Sequence, residues 1–416
     1  MNPNCTHHVK TNDHISISVS NIASPKDEDR FCENLSDQEL PSLSSFGVFD
    51  GHNGKEASAY CAKTLHNSIA QYYLRLLEIA EEDDTIAKHN LLKEELLCES
   101  IRSQYEKADT EIKAANIAGT TSTSLFLLEE NDGTYRAFCS WVGDSRCILL
   151  SRKINDEDGK YEITRYQSFL MSEDHKPDLP RERLRIEKKI EPIWNGRPVD
   201  VTIETFRGHE GCDYSVHSES LLKRSLPQLK ELELKSTILK SETDSTDSDN
   251  EQFNSVVPIV STPEPDNDAQ IIHSESFIGE RVLKGYTDIK GPVAVCGRYG
   301  VSLNMSRSIG DKYGPRRCIA TPDITSITIY PNQHARFILA SDGLWDVITV
   351  ERIEEIIRRY PNARKLSSKL SKMAWLERIN RCMRMDDITA MVVDVNYHLA
   401  ESAIAATSVK CNCNIS

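Results

Sequence analysis

Apolar residues along this chain recur with two different periods, and the switch between them lays out its elements. Ile15-Ser-Ile-Ser-Val-Ser20 alternates apolar and polar, the period of a half-buried strand. Residues 1–14 before it carry no such pattern and read as an irregular N-terminus. Gly47-Val-Phe49 reads as the next strand and stops abruptly at Asp50-Gly51-His52. From Lys55 the period becomes helical: Ala57, Cys61, Leu65, Ile69 and Tyr73 recur every fourth residue. After a polar break at Glu81-Glu-Asp-Asp84, a second amphipathic helix carries Leu97, Ile101, Tyr105, Ala108 and Ile112. A short break between two long helices predicts antiparallel neighbours laid on a sheet.

Strands then dominate. Thr120–Leu128 is rich in β-branched and apolar residues, and Tyr135–Val142 and Cys147–Leu150 flank Gly143-Asp144-Ser145, which reads as a hairpin turn. Ser172–Pro177 is a loop, followed by a short charged helix around Arg181–Lys189. Near Trp194 the pattern breaks down. Ser241–Glu251 is acidic and rich in hydroxyls, and Pro258–Asp268 adds three prolines. Such a stretch buries too little apolar surface to order itself, so 196–291 reads as a partly disordered acidic insertion. Order resumes near Val293. Phe337–Ala340 is a buried strand ending at Ser341-Asp342-Gly343, and Leu344-Trp-Asp-Val347 enters a helix that carries Ile353, Ile356 and Ile357 on one face. A further helix covers about Ala363–Glu377, and Asp386-Asp387 opens a last strand, Ile388–Val395. Strands grouped with paired helices, rather than in strict alternation, predict α+β layers.

Composition narrows the function. A net charge of -14 and a pI near 5.4 exclude nucleic acid as the main partner, because phosphate backbones attract basic patches. Acidity suits a protein that gathers carboxylates around cations. Twelve cysteines are scattered without zinc-like spacing apart from Cys411 and Cys413, and with no secretory signal read before them they are expected to be reduced thiols of a cytoplasmic or nuclear protein. No apolar run approaches membrane-spanning length.

Four acidic sites share one context: Glu28-Asp29 in a loop between strands, Asp50 and Asp342 at strand ends, and Asp386 just before a strand. An isolated Asp-Gly at a strand end is usually a turn. Its recurrence matters because sheet rims bring such residues together. Carboxylates crowded in one cleft repel unless cations neutralise them, and oxygen donors favour Mg²⁺ or Mn²⁺. Such ions lower the pKa of bound water and stabilise charge developing on a phosphoryl group. No Ser or Cys nucleophile is then required. A proton donor for the leaving alkoxide is, and His52 stands beside Asp50 for that work.

Phe46-Gly-Val-Phe-Asp-Gly-His-Asn-Gly54, Val142-Gly-Asp-Ser-Arg146, Glu173-Asp-His-Lys-Pro177, Met305-Ser-Arg-Ser-Ile-Gly-Asp311, Leu339-Ala-Ser-Asp-Gly-Leu-Trp-Asp-Val347 and Asp386-Asp-Ile-Thr389 follow one another along the chain. Together they resemble the ordered signature motifs of the metal-dependent type 2C serine/threonine protein phosphatases. The resemblance spans 15–396, around the insertion, and leaves 397–416 as a tail. It implies an α-β-β-α fold: a central antiparallel β-sandwich with helices on both outer faces and two Mg²⁺ or Mn²⁺ ions at one sandwich edge. Asp50 would bridge the ions, the Gly51 carbonyl would bind one, and the Glu28-Asp29 pair would serve that side, Glu28 directly or through water. Asp342 and Asp386 would hold the other ion. Asp144 and Asp346 match positions that, with Asp342, form a third, weaker metal site in some members. His52 matches the proposed general acid. Asp311 matches a recurrent position to which no ligand role is assigned.

This chain also departs from the pattern. Ser24 stands where many members place an Arg that clamps the substrate phosphate, and Lys26 is the candidate substitute as a point charge. Asp387 stands where Asn is more usual. The insertion falls where relatives carry a variable flap beside the substrate groove. The expected partners are phosphorylated proteins, acted on by a monomer. Cys413-Asn-Ile-Ser416 fits a prenylation box and Cys411 could take a second acyl chain, which predicts peripheral membrane attachment if both are used. Two rival readings stand beside the enzyme: a binding module that keeps the fold without turnover, and a purely structural cation site. Intact Asp50, Asp342, Asp386 and His52 favour activity.

Overall fold

The structure, a computed structural model, describes residues 5–36, 42–81, 91–155, 162–163, 167–177, 179–187, 214–215, 270–273, 293–296, 302–314, 318–360 and 362–399. Its helices are α1 (Glu56–Glu81), α2 (Leu91–Ala115), α3 (Pro180–Glu187), α4 (Asp342–Trp345), α5 (Val350–Arg359) and α6 (Ala363–Asn380).

The alternation in Ile15–Ile22 shows how the layers are assembled. Ile15, Ile17 and Val19 point into a core shared with Phe46, Val48, Leu127, Phe337, Leu339 and Met391. That core lies between two antiparallel sheets. The first runs in the order Cys5–Thr11, Ile15–Ile22, Ile388–Val395, Gln333–Ala340, Arg146–Asn155 and Glu162–Ile163, with Gln167–Leu170 also on Arg146–Asn155. The second runs Tyr214–Ser215, Asp323–Ile329, Tyr135–Val142, Ser122–Glu129, Leu43–Phe49 and Arg30–Asn34. Fully burying each large apolar side chain between them contributes roughly 1.5–3 kcal/mol.

Ser16, Ser18 and Ser20 face the other way, yet they too are buried. The half-buried strand expected from the alternation is therefore covered on both faces. Helix α6 lies over two of these serines, Ser367 Oγ 2.6 Å from Ser18 Oγ and Ser371 Oγ 2.7 Å from Ser20 Oγ. Small hydroxyls let the helix approach closely while satisfying one another. Helix α5 completes this layer, with Ile353, Ile356 and Ile357 packed against Ile338, Ala340 and Val392. On the opposite outer face both predicted stripes, Ala57 to Tyr73 on α1 and Leu97 to Ile112 on α2, are buried against Phe49, Phe126 and Phe138. The result is the expected α-β-β-α sandwich.

Several expectations change. Residues 1–14 are not irregular throughout, since Cys5–Thr11 is an edge strand paired with Ile15–Ile22. Its side chains are all exposed, so no alternation marks it; the turn is set instead by Asn12 Oδ1, which accepts from the amides of His14 and Ile15. Gly143-Asp144-Ser145 is not a hairpin turn, because the strands on either side lie in different sheets. The chain crosses there from one layer to the other, and Gly143 adopts φ 94°, which a side chain would strain. Leu344–Val347 does not lead directly into the long helix. Helix α4 ends first, and Thr349 caps α5 by accepting from the Arg352 amide. Most of 196–291, including the acidic and proline-rich stretches, lies outside the described residues. Within it, Tyr214–Ser215 adds an edge to the second sheet and Gln270–His273 pairs with Val293–Cys296. The described cysteines are free thiols, most of them buried. Among the described residues no helix is long and apolar enough to cross a membrane.

Candidate functional site

The strand Leu43–Phe49 ends at Asp50 and Gln333–Ala340 ends at Ser341-Asp342, while Asp386-Asp387 immediately precedes Ile388–Val395. Strands of both sheets thus deliver their polar termini to one rim. The backbone at Asp50 is fixed by reciprocal bonds with Thr121: the Thr121 amide donates to the Asp50 carbonyl at 2.9 Å, and the Asp50 amide donates to Thr121 Oγ1 at 3.2 Å. Burial, reinforced by the charges of Asp29, Asp342, Asp144 and Asp386, holds the Asp50 carboxyl well above the usual carboxylate range. Asp342 is raised in the same way, by burial and then by Asp144, Asp346 and Asp386. These mutual effects mean that carboxylates widely separated in sequence share one electrostatic space.

Asp29 is buried beside them. Its Oδ2 accepts from Ser341 Oγ at 2.8 Å and Thr389 Oγ1 at 2.7 Å, and its Oδ1 is buried without a partner. Burial first, then the Asp387 charge, pushes Asp29 up to about 7. Asp387 explains the shape of the preceding loop. Its Oδ1 accepts from the Ser24 amide at 2.5 Å, and its Oδ2 from the amides of Glu28 and Asp29 at 2.5 and 3.1 Å. An Asn could offer only one acceptor oxygen to these donors. Glu28 is oriented by the Gly54 amide, 2.8 Å from its Oε1. Lys26 sets its ammonium 2.7 Å from Asp386 Oδ1, with part of the side chain in solvent. Burial opposes that charge, but Asp386 outweighs it and the Lys26 pKa is raised. Ser24, in the position where an Arg was expected, is buried.

His52 is placed by a small three-stranded sheet that the sequence pattern did not reveal. Gly51–His52 pairs with Gly119–Thr120, which pairs in turn with Ile309–Gly310. His52 and Gly310 both face Gly119, so Asp311 arrives next to the imidazole. Its two carboxylate oxygens each lie 2.9 Å from His52 Nε2. A Cβ at Gly119 would stand 2.2 Å from Asp311 Oδ2 and 2.3 Å from His52 Nε2, so the pair forms only because residue 119 has no side chain. Burial disfavours the imidazolium, but Asp311 overrides it and the His52 pKa is raised. Asp311, given no role from its position in the sequence, is the partner of the candidate acid.

Asp144 and Asp346 are on the same rim, each with a counter-charge. The Lys176 ammonium bonds Asp144 Oδ2, and Arg378 Nη2 lies 2.9 Å from Asp346 Oδ2. Asp144 Oδ1 is buried with no partner. Lys176 falls inside a motif already singled out, so its proximity was discoverable; Arg378, in the last turn of α6, carries no sequence signal. Cys411 and Cys413 lie outside the described residues.

The donor chemistry fits a hard divalent cation. The rim side chains offer oxygen, two of those oxygens are buried and unsatisfied, and the crowding of negative charge favours a positive ligand. Among the described residues no three His, Cys, Asp or Glu side chains close into a ready ligand sphere; the carboxylates line a rim instead. Mg²⁺ and related ions are commonly held by one or two carboxylates while keeping water.

The family model described as Protein phosphatase 2C matches residues 20–201 and 287–383, more than half of the chain. Protein phosphatase 1L of Bos taurus is 31% identical over 177 residues, which cover 42% of this chain and 42% of that protein. Protein phosphatase 2C 1 of Paramecium tetraurelia is 27% identical over 205 residues, or 47% of this chain and 60% of that one. The chain therefore spans about half the length of these relatives. The crystal structure of a serine-threonine phosphatase 2C from Toxoplasma gondii superposes with a TM-score of 0.52 at 19% identity, covering 94% of this chain and 99% of the other. That likeness is one of fold.

Proposed function

Since the chain belongs to the protein phosphatase 2C family, we propose that it hydrolyses phosphoserine and phosphothreonine in proteins at a centre of two Mg²⁺ or Mn²⁺ ions. The observation that carries this reading is the shared rim of Asp50, Asp29, Asp342 and Asp386, flanked by the His52–Asp311 pair. Asp50, the Gly51 carbonyl, Glu28 and Asp29 would hold one side of the centre, and Asp342 and Asp386 the other; Asp144 and Asp346 are the candidates for a third, weaker ion. When bound, such ions lower the pKa of water and neutralise charge gathering on the phosphoryl group.

The remaining work belongs to the chain. Water attacks phosphorus in line, the bond from phosphorus to the Ser or Thr oxygen breaks, and the departing oxygen takes a proton from His52. Asp311 keeps that proton on the imidazole and fixes the ring. Lys26 offers a cation to the substrate phosphate, without the bidentate fork an Arg would supply. Asp387 holds the loop that carries Lys26, Glu28 and Asp29 in register with the rim. The unmatched residues between the two family-model stretches fall within 196–291, which supports reading that segment as an insertion into one catalytic domain.

The test is hydrolysis of a phosphothreonine peptide with and without Mn²⁺, using Asp50→Ala as control. Metal-dependent phosphate release that the variant lacks is the expected result. No release by the wild-type chain at any Mn²⁺ concentration would overturn the enzyme reading in favour of a binding module.

A further inference from the structure

Besides Asp386, which faces Lys26, the rim carboxylates Asp144 and Asp346 are compensated by the chain itself, and their two compensating groups are held very differently. Arg378 is locked. Besides Asp346, its guanidinium donates to the carbonyls of Gly343 at 2.8 Å, Asp342 at 3.2 Å and Arg384 at 3.0 Å. It ties α4 to the approach of the last strand and cannot leave without releasing both. Lys176 is held at its base only. The His175 amide donates to the Gly143 carbonyl at 2.9 Å, and the Ser306 amide and Oγ donate to the His175 carbonyl at 2.8 and 3.1 Å. Beyond that anchor the Lys176 side chain is 41% exposed, and its ammonium bonds Asp144 Oδ2, with no other bonding partner among the described residues. Asp144 itself is 4% exposed and keeps a second oxygen buried and unsatisfied. After burial, Asp144 and Asp346 are the strongest influences on Asp342.

We propose that Lys176 is a displaceable resident cation: it holds the charge position that a third divalent ion shared by Asp144, Asp342 and Asp346 would need, so that ion binds only by expelling the lysine. The third site is weak because occupancy must first break the Lys176–Asp144 pair. Conversely, the pair keeps Asp144 compensated whenever the third ion is absent. A lysine is suited to this exchange, since its flexible stem lets the ammonium swing into water while the anchored backbone stays in place. The inference rests on the reading that the rim binds divalent cations.

The experiment is a Mn²⁺ titration of the full chain after chelator stripping, followed by calorimetry and by the electron paramagnetic resonance signal of free Mn²⁺. It compares wild type, Lys176→Gln, Lys176→Arg and the double variant Lys176→Gln/Asp144→Asn. The stronger binding events should be alike in all four, which also reports that each has folded. Lys176→Gln should tighten the weakest event by about tenfold, the scale on which removing a partly buried competing charge acts. Lys176→Arg should leave it weak, and the double variant should lose the gain. A gain below about threefold in Lys176→Gln, or one that survives Asp144→Asn, overturns the proposal. If no chain binds Mn²⁺ at all, the cation reading of the rim fails and this inference with it. Strong binding with an unchanged weakest event defeats the lysine proposal alone.

Discussion

Asp311→Asn isolates what the carboxylate does for His52. The substitution preserves shape, and Asn tolerates the left-handed backbone at this position, where φ is 61°. It can still accept from Ser308, whose Oγ now donates to Asp311 Oδ2 at 2.5 Å. What disappears is the negative charge 2.9 Å from His52 Nε2, in a pair whose side chains are 20% and 4% exposed. A hydrogen bond to a charged group in such a setting contributes about 1.5–3 kcal/mol, and one pKa unit corresponds to about 1.4 kcal/mol. The His52 pKa should therefore fall by about one to two units. With His52 in its proposed role as acid, the working form is the protonated ring, so activity should be retained below its pKa and lost as pH rises through it. The wild-type value is raised, so the loss comes late; in the variant it begins at lower pH.

At pH 7.5 the variant should lose about 10- to 100-fold in kcat on a phosphothreonine peptide. The assay is kcat against pH on that peptide and on p-nitrophenyl phosphate, whose phenolate leaves without needing a proton. Loss on the peptide should far exceed loss on the aryl ester. Gly119→Ala, which would press a methyl group onto both partners, should give the same leaving-group dependence. Equal loss on both substrates, or an unmoved alkaline limb in Asp311→Asn, would refute the reasoning.

Lys26→Ala should raise the KM for phosphopeptide several-fold with a smaller change in kcat, read from steady-state kinetics; an unchanged KM would remove Lys26 from substrate binding. Asp387→Asn leaves one oxygen for three amide donors and should cost about 1–3 kcal/mol in urea unfolding, with the loss confined to m-value-neutral shifts in midpoint. Metal removal should reverse the pH dependence of stability. Asp29 is pushed up to about 7, so the metal-free folded state holds a proton there that the unfolded chain releases near pH 4. Between those values the folded state binds more protons, and stability must fall as pH rises. In EDTA the Tm should climb as pH is lowered from 7.5 towards 5.5, whereas Mn²⁺ should raise the Tm most at pH 7.5; parallel curves with and without metal would contradict this.

The helices were the most legible part of the fold because each buries a single face. Ala57 to Tyr73 and Leu97 to Ile112 show the helical period that a one-sided burial imposes, and all of those positions are buried. The final strand, Ile388–Val395, was placed residue for residue, since a polar Asp386-Asp387 stop gives way there to a mostly apolar run. Local pattern fails where environment and period part company. Cys5–Thr11 buries neither face and so shows no alternation, while Ser16, Ser18 and Ser20 are polar yet buried, the last two against α6. The step from one sheet to the other at Gly143 is invisible for a further reason. A turn residue between two strands has the same local signature whether the strands pair with each other or with partners far along the chain.

The site divides along the same line. Asp50, Asp342 and Asp386 could be read from the chain because each stands at one end of a strand-like apolar stretch, and the charge coupling among them follows from the sheet rim they share. Most of the groups that set the charge of the rim could not. Asp311 meets His52 only because Gly119 stands opposite both His52 and Gly310, a coincidence of two strand pairings among three separated segments. Lys176 reaches Asp144 from a loop whose motif could be recognised, but Arg378 reaches Asp346 from the end of a helix whose own pattern has no reason to mention a carboxylate. Residues that bind or react are constrained by backbone position and therefore sit in short, recognisable runs. Those that tune them need only deliver one charge to one point, and a long side chain can do so from almost any element. A sequence motif accordingly identifies the rim sooner than it identifies the cations that this chain already keeps there.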